Sequence, residues 1–317
     1  MIAVPGSGKT SRVILPKVTK VLENDAVNPK SVLILTFSRL SAKDLKDKVG
    51  ALAREPRAST VHSLCLAFLV AENGHSMRNR VESIVLEFEK DALIADLGLI
   101  FTQKGKRQLK SMLAGFAAGW ATNPHDEVFE ETDEQRDFKA AVLNWLSEHE
   151  SALMEEIVYG AVDLAKKLGA SDFIREPRYI FVDEYQDLNR LEQEFIELLA
   201  EDSDLLMVVG DPDQSIYSFK FAYPSGIKEY AAKTGVESHS SLQTGRCPKP
   251  VVDIANQLLR QAEPGRFQLL ESVSTEPGEV HFVRQDNQES EFRYVLKSIA
   301  CSLQEGASGV TPPFLDS

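Results

Sequence analysis

The sequence predicts an α/β fold, a doubly wound parallel sheet built around a phosphate-binding loop. Three observations support this. Ala3-Val4-Pro5-Gly6-Ser7-Gly8-Lys9-Thr10 sets a Gly-rich turn between an apolar start, Met1-Ile2-Ala3-Val4, and a helical pattern. Val32-Leu33-Ile34-Leu35-Thr36, Tyr179-Ile180-Phe181-Val182 and Leu205-Leu206-Met207-Val208-Val209 are short β-branched runs of the kind buried on both faces of a parallel sheet. Between them, apolar residues recur at helical spacing, as in Ile14, Val18 and Val21, or Leu188, Leu191, Phe195 and Leu198.

Taken in order, the first helix carries Pro16, which should kink it at a cost of about 3 kcal/mol if fully interior. Residues 1–80 then form the first part of one core. Residues 81–165 lack clear strands, show helix-like stretches such as Val142 to Leu168, carry an acidic patch from Asp126 to Asp137, and predict a helical insertion. Residues 166–235 return to the core. Residues 236–317 open a second, incomplete one, with a strand at Val280-His281-Phe282-Val283 and a helix from about Glu289 to Leu303. The turn-rich tail from Glu305 to Pro313 predicts no regular structure.

The 317 residues suffice for two domains, and 43% apolar with 26% charged residues is ordinary globular composition. No apolar run is long enough for a bilayer span, and the start has no secretory pattern, so no membrane partner and a cytoplasmic location are expected. Cys65, Cys247 and Cys301, odd in number and lacking metal-ligand spacing, read as reduced thiols in the same compartment. A net charge of −13 argues against a nucleic-acid partner, but residues 1–58 hold 11 Lys and Arg against 5 Asp and Glu. A local basic groove with stacked bases can hold a single strand whatever the total charge. Solvated faces would explain the same distribution.

The chemistry rests on three elements. In the first, Pro5, Gly6, Ser7 and Gly8 let backbone N–H groups close on phosphate oxygens, with Arg12 nearby on the helix. Lys9 can reach the β- and γ-phosphates, and the Thr10 hydroxyl can ligate Mg²⁺. In the second, Asp183-Glu184 ends a buried strand: Asp183 can join Thr10 in holding Mg²⁺, and Glu184 can orient and deprotonate a water. In the third, Gly210-Asp211-Pro212-Asp213-Gln214-Ser215-Ile216-Tyr217 caps the next strand, where Gln214 can reach the γ-phosphate or its attacking water. A nucleoside triphosphate and Mg²⁺ are the expected cofactors.

At these residues the chain resembles the superfamily 1 DNA helicases of the UvrD, Rep and PcrA type. The phosphate loop begins with Ala3 where the common pattern has Gly, as in that family. Thr36-Phe37-Ser38, Thr60-Val61-His62-Ser63, Val182-Asp183-Glu184-Tyr185-Gln186-Asp187 and Gly210 to Tyr217 are similar to its motifs and occur in the same order. The resemblance implies that the nucleotide is ATP, and a RecA-like core with a partial second one. It also implies that Thr36, Phe37, Ser38, Thr60 and His62 touch single-stranded DNA, and that Tyr217 and Phe219 form a stacking platform. The family usually has Trp at Phe219 and Arg at Lys220. Gln186 and Asp187 would couple phosphate state to strand grip, with Gln214 beside them. Leu242-Gln243-Thr244-Gly245-Arg246 resembles the element that sends an arginine, here Arg246, to the γ-phosphate. Core packing would equally explain Phe37 and Phe219, a satisfied buried histidine His62, and a plain surface residue Arg246.

The resemblance also implies truncation at both ends. Only eight residues precede Lys9, too few for the family's adenine-recognising motif, and nothing after Val283 resembles its later elements. The expected function is that of an ATP-dependent DNA helicase or translocase, moving 3′ to 5′ in repair, recombination or phage defence, with unwinding impaired in this chain. The alternative is an ATP-responsive DNA-binding subunit completed by a partner nuclease or helicase chain. A phosphate-loop kinase, indifferent to oligonucleotides, is a third reading.

Overall fold

Alternating side chains of the central strands face two separate apolar clusters, which makes the sheet a middle layer. The computed structural model describes residues 1–50, 54–72, 83–122, 132–169, 172–217, 221–265 and 269–305. The tail after Glu305 and residues 126–131 of the acidic patch lie outside the described residues.

Strand β1 (Ile2–Ala3) feeds the phosphate loop, and a π-helical turn over Lys9–Ile14 passes into α1 (Leu15–Leu22). Pro16 sits where the π-helical turn passes into α1: Ile14 and Leu15 are already helical, and Leu15 N–H reaches back to the Thr10 carbonyl. The ladder changes its hydrogen-bond pattern just before the proline and does not run as one α-helix. There follow β2 (Val32–Thr36), α2 (Arg39–Val49), β3 (Arg57–Thr60) and α3 (Val61–Ala71). The helical region comprises β4 (Ser83–Val85), α4 (Lys90–Ile100), α5 (Lys106–Thr122), α6 (Asp133–Glu148), β5 (Ser151–Leu153), α7 (Met154–Leu168) and α8 (Asp172–Arg175). Next come β6 (Tyr179–Val182), α9 (Arg190–Ala200), β7 (Leu205–Val208) and α10 (Gly226–Ala231). The C-terminal segment holds β8 (Ser240–Ser241), β9 (Gln243–Thr244), α11 (Lys249–Ala262), β10 (Glu271–Ser272) and α12 (Gln288–Glu305).

The main sheet runs β3-β2-β6-β7, every pair parallel. Backbone hydrogen bonds from Ala3 to Gly210 (3.0 Å) and from Gly210 to Met1 (3.2 Å) carry it on to β1, which in turn pairs with β8. Leu33, Leu35, Ile180 and Val182 face α3, α7 and α9, while Val32, Ile34 and Phe181 face α1 and α2. Because all strands point the same way, their carboxyl ends converge on one edge.

A third apolar cluster closes the helical region around Leu93, Leu97, Leu113, Phe138 and Leu146. Three expectations are corrected by the structure. The region does contain strands, since β4 and β5 pair in parallel with Val85 opposite Leu153. Three residues each is too short for a periodicity signal. The helical stretch from Val142 to Leu168 is two helices, broken where Glu150 takes φ +47° and turns the chain into β5. The residues of Val280-His281-Phe282-Val283 form no strand, and Phe282 is 85% exposed. β-Branched and aromatic residues favour a strand only where a neighbour and a buried face are supplied. The C-terminal helix lies where the sequence placed it. No helix among the described residues is long and apolar enough to cross a membrane.

Candidate functional site

The phosphate loop is shaped by two glycines that lie in the left-handed region, Gly6 at φ +70° and Gly8 at φ +85°. At Gly6 a side chain is barred twice, because a Cβ would stand 2.4 Å from Cβ of Arg246 and 2.7 Å from Oγ1 of Thr244. The loop thus has its back against the C-terminal segment, and Gly245 N–H donates to the Gly6 carbonyl at 3.2 Å.

Lys9 is 8% exposed, and its Nζ donates to the Ala3 carbonyl at 3.1 Å. Ser7 Oγ is buried without a hydrogen-bond partner. A buried ammonium and an orphaned hydroxyl beside curled backbone N–H groups match an anionic ligand, which would satisfy all of them. Thr10 Oγ1 donates to Asp183 Oδ2 at 2.5 Å. This joins the loop to the end of β6 and sets two hard oxygen donors side by side, as a divalent cation shared with phosphates requires. Among the described residues no group of three or more His, Cys, Asp or Glu side chains could hold a metal. A magnesium held by Thr10 and Asp183 would take its remaining ligands from phosphate oxygens and water.

Burial raises the Asp183 carboxyl above its ordinary value, against the lowering effect of the Thr10 hydrogen bond. Glu184 adopts φ +52°, a left-handed conformation uncommon for a residue with a side chain. Gln186 Nε2 donates to Glu184 Oε2 at 3.0 Å, and its Oε1 accepts from Asp211 N–H at 2.8 Å. Gln214 Nε2 donates to Asp211 Oδ2 at 2.7 Å. One chain of hydrogen bonds therefore runs from the carboxylate of β6 to the loop after β7. Asp187 is buried with Oδ1 unpartnered, and desolvation, reinforced by the Glu184 charge, pushes its carboxyl up to about 6.

Phe37 and Tyr217 meet with ring centroids 4.8 Å apart. They share a cavity of about 260 Å³ with Ser38, Ser41, Glu184, Gln186, Asp187, Gln214 and Ile216. Residues read from sequence as strand contacts and as phosphate sensors thus line the two sides of one space. Phe219 lies outside the described residues, as does Lys220.

The other strand candidates are held by the fold itself. Thr36 is fully buried at the end of β2, its hydroxyl without a partner. Ser38 caps α2 by accepting from Ser41 N–H, and Thr60 caps α3 by accepting from Ser63 N–H. His62, in the first turn of α3, sets Nδ1 2.9 Å from Oε1 of the buried Glu192. Arg12 and Arg246 are exposed, Arg246 beside Gly6 and Arg12 beside Gly8 of the phosphate loop. Glu192 was not among the sequence-derived site residues. The Asn189-x-x-Glu192 spacing marks a helix cap, and nothing in it points to His62.

A family model for the UvrD/REP helicase N-terminal domain matches residues 1–234. The chain belongs to the UvrD/REP helicase family. It is 26% identical over 314 residues to the ATP-dependent DNA helicase PcrA of Staphylococcus aureus (strain Mu50), covering 94% of this chain and 43% of that protein. It is 26% identical over 313 residues to the protein of the same name from Staphylococcus epidermidis (strain ATCC 12228), with the same coverage. The chain spans less than half the length of these curated relatives. Within the family match lie the phosphate loop, Asp183-Glu184 and the Gly210–Tyr217 block.

Proposed function

We propose that the chain is the ATP-hydrolysing, strand-gripping part of a DNA helicase or translocase that moves 3′ to 5′. The observation that carries this reading is the hydrogen-bonded chain Glu184–Gln186–Asp211–Gln214, of which Glu184, Gln186 and Gln214 line the same cavity as Phe37 and Tyr217. Occupancy of the phosphate site and the grip on a base would then act on the same side chains.

In this reading, Gly6, Gly8 and Lys9 hold the triphosphate of ATP. Thr10 and Asp183 hold a magnesium ion, which neutralises phosphate charge when bound. Glu184 orients the attacking water and takes its proton, Gln214 senses the γ-phosphate, and Arg246 stabilises charge that develops during transfer. Phe37 and Tyr217 stack on bases, each such contact worth about 1–3 kcal/mol, and His62 and Thr60 meet the same strand. Residues 1–80 and 166–235 make the motor core, 81–165 the insertion, and 236–317 the start of a second core.

The experiment is magnesium-dependent ATP hydrolysis with and without an oligo-dT strand. Glu184→Gln is expected to lower hydrolysis by about 10²–10⁴-fold, the usual worth of a general base, while nucleotide binding persists. Lys9→Ala is expected to lose binding as well. Undiminished hydrolysis in Glu184→Gln would overturn the assignment.

The second reading, a strand-binding subunit completed by a partner chain, is favoured by the exposure of Phe282, Phe292, Val295, Leu296 and Ile299. Vigorous duplex unwinding by the purified 317-residue chain would exclude it.

A further inference from the structure

Glu192 is a charged side chain 2% exposed, a condition that requires compensation at both oxygens. Both have it. Oε2 accepts from Asn189 N–H at 2.8 Å, while Asn189 Oδ1 accepts from Glu192 N–H at 2.9 Å, closing the cap of α9. Oε1 lies 2.9 Å from His62 Nδ1, across the interface between α3 and α9. Asn189 directly follows Leu188 at the end of the 183–188 loop, which carries Asp183, Glu184, Gln186 and Asp187. One carboxylate thus ties the start of α3 to the segment that bears the hydrolytic groups.

A neutral glutamine would serve the helix cap as well as a glutamate, since its Oε1 can accept from Asn189 N–H. The cap alone does not call for a buried charge. The His62 contact does, because a carboxylate only accepts and so obliges the imidazole to carry its proton on Nδ1. The ring is then oriented, and the nitrogen that Glu192 does not engage has a defined hydrogen-bonding character toward a ligand.

We propose that Glu192 is a positioning residue that couples strand capture at His62 to the nucleotide state of the 183–188 loop. The proposal rests on the reading that His62 meets the single strand. A strand that pulls on the imidazole pulls on the carboxylate, and through Asn189 on the end of the loop. Closure of the loop around phosphate presets the imidazole in the same way, since linkage between two binding sites is reciprocal.

The test measures the affinity of a labelled oligo-dT strand with and without magnesium and a slowly hydrolysed ATP analogue. This is done for the full chain, for Glu192→Gln and for His62→Ala. In the unaltered chain the nucleotide is expected to change strand affinity about 5-fold or more, the lower end of usual allosteric coupling. In Glu192→Gln the ratio is expected to fall to about one. A parallel ¹⁵N NMR measurement reads the His62 ring directly. It is expected to show a protonated Nδ1 in the unaltered chain, and Nδ1 losing that proton in Glu192→Gln, where an amide N–H faces it. An unprotonated Nδ1 in the unaltered chain overturns the proposal, whatever the variant does. So does a coupling ratio that Glu192→Gln leaves intact while His62→Ala weakens strand binding. If His62→Ala leaves strand affinity unchanged, the reading of His62 as a strand contact is itself wrong, and the coupling falls with it.

Discussion

Residues 1–235 and 236–305 use the same vocabulary of short parallel strands and amphipathic helices, yet they differ in what they bury. In the first region Leu33, Ile34, Phe181 and Phe195 are at 0% exposure, and three apolar clusters fill the space between layers. In the second, Thr244 and Val252 are the only buried residues among those described, while Val280, Phe282, Phe292, Leu296 and Ile299 are exposed. β9 and β10 pair over two residues each, well below what stabilises a sheet by itself. The firm attachments of this segment are to the first region, at β1 through β8 and at Gly6 through Gly245. The lesson is that a secondary-structure pattern declares a fold class, while stability comes from a closed core. The C-terminal segment is held by the phosphate loop it embraces.

Three experiments can break or sharpen this contrast. The largest expected effect is on packing: Phe195→Ala should cost about 3–5 kcal/mol in a denaturant titration, as core aromatic truncations do. Phe282→Ala should stay within about 0.5 kcal/mol, as exposed substitutions do. A comparable loss for Phe282→Ala would mean that the segment has a core of its own.

Next is Gly6→Ala, which forces a Cβ toward Thr244 and Arg246 at a positive φ. Such strain costs of the order of 1–3 kcal/mol. It should weaken nucleotide binding and loosen the C-terminal segment together, read as faster amide exchange at Gly245. Weakened binding with unchanged exchange at Gly245 would show that the loop does not anchor the segment.

The smallest effect is pH-dependent and confined to the first region. The Asp187 carboxyl is raised to about 6 in the folded chain from an ordinary 3.8, so between these values the native state binds more protons than the unfolded one. Its contribution therefore favours folding most below about pH 4, declines as pH rises, and levels off above about pH 6. Asp187→Asn should remove that decline. The gap in melting temperature between variant and parent should grow in the variant's favour from pH 4 to pH 6 and hold constant above it. A gap independent of pH would mean that Asp187 is not desolvated.

Much of the first region was legible because its signals are local. Strands buried on both faces read as continuous apolar runs, so β2, β6 and β7 stood out. The phosphate loop and the Asp183-Glu184 and Gly210–Tyr217 blocks each sit directly after such a run. Two misreadings concerned what no local pattern carries. Val280 to Val283 has strand composition without a strand neighbour, and β4 and β5 have a strand neighbour without the length to show it. The Asn189–Glu192 cap went unread in the sequence, and the charge of Glu192 is explained only by His62, 130 positions earlier in the chain.

By itself the sequence determined the class of chemistry, because a cradle of small residues, one lysine, one hydroxyl and paired carboxylates are demands that phosphate makes on residue types. It also marked β2, β6 and β7 and the helices that alternate with them, because periodicity is set by backbone geometry. The tertiary structure alone decided which of these groups meet. Parallel strands bring all their carboxyl ends to one edge, and so Thr10 comes to touch Asp183, Phe37 comes to touch Tyr217, and Gln186 comes to bridge Glu184 and the Asp211 backbone. It also decided that the described residues of the C-terminal segment, with the same propensities, enclose no core, because burial depends on neighbours that propensity does not supply.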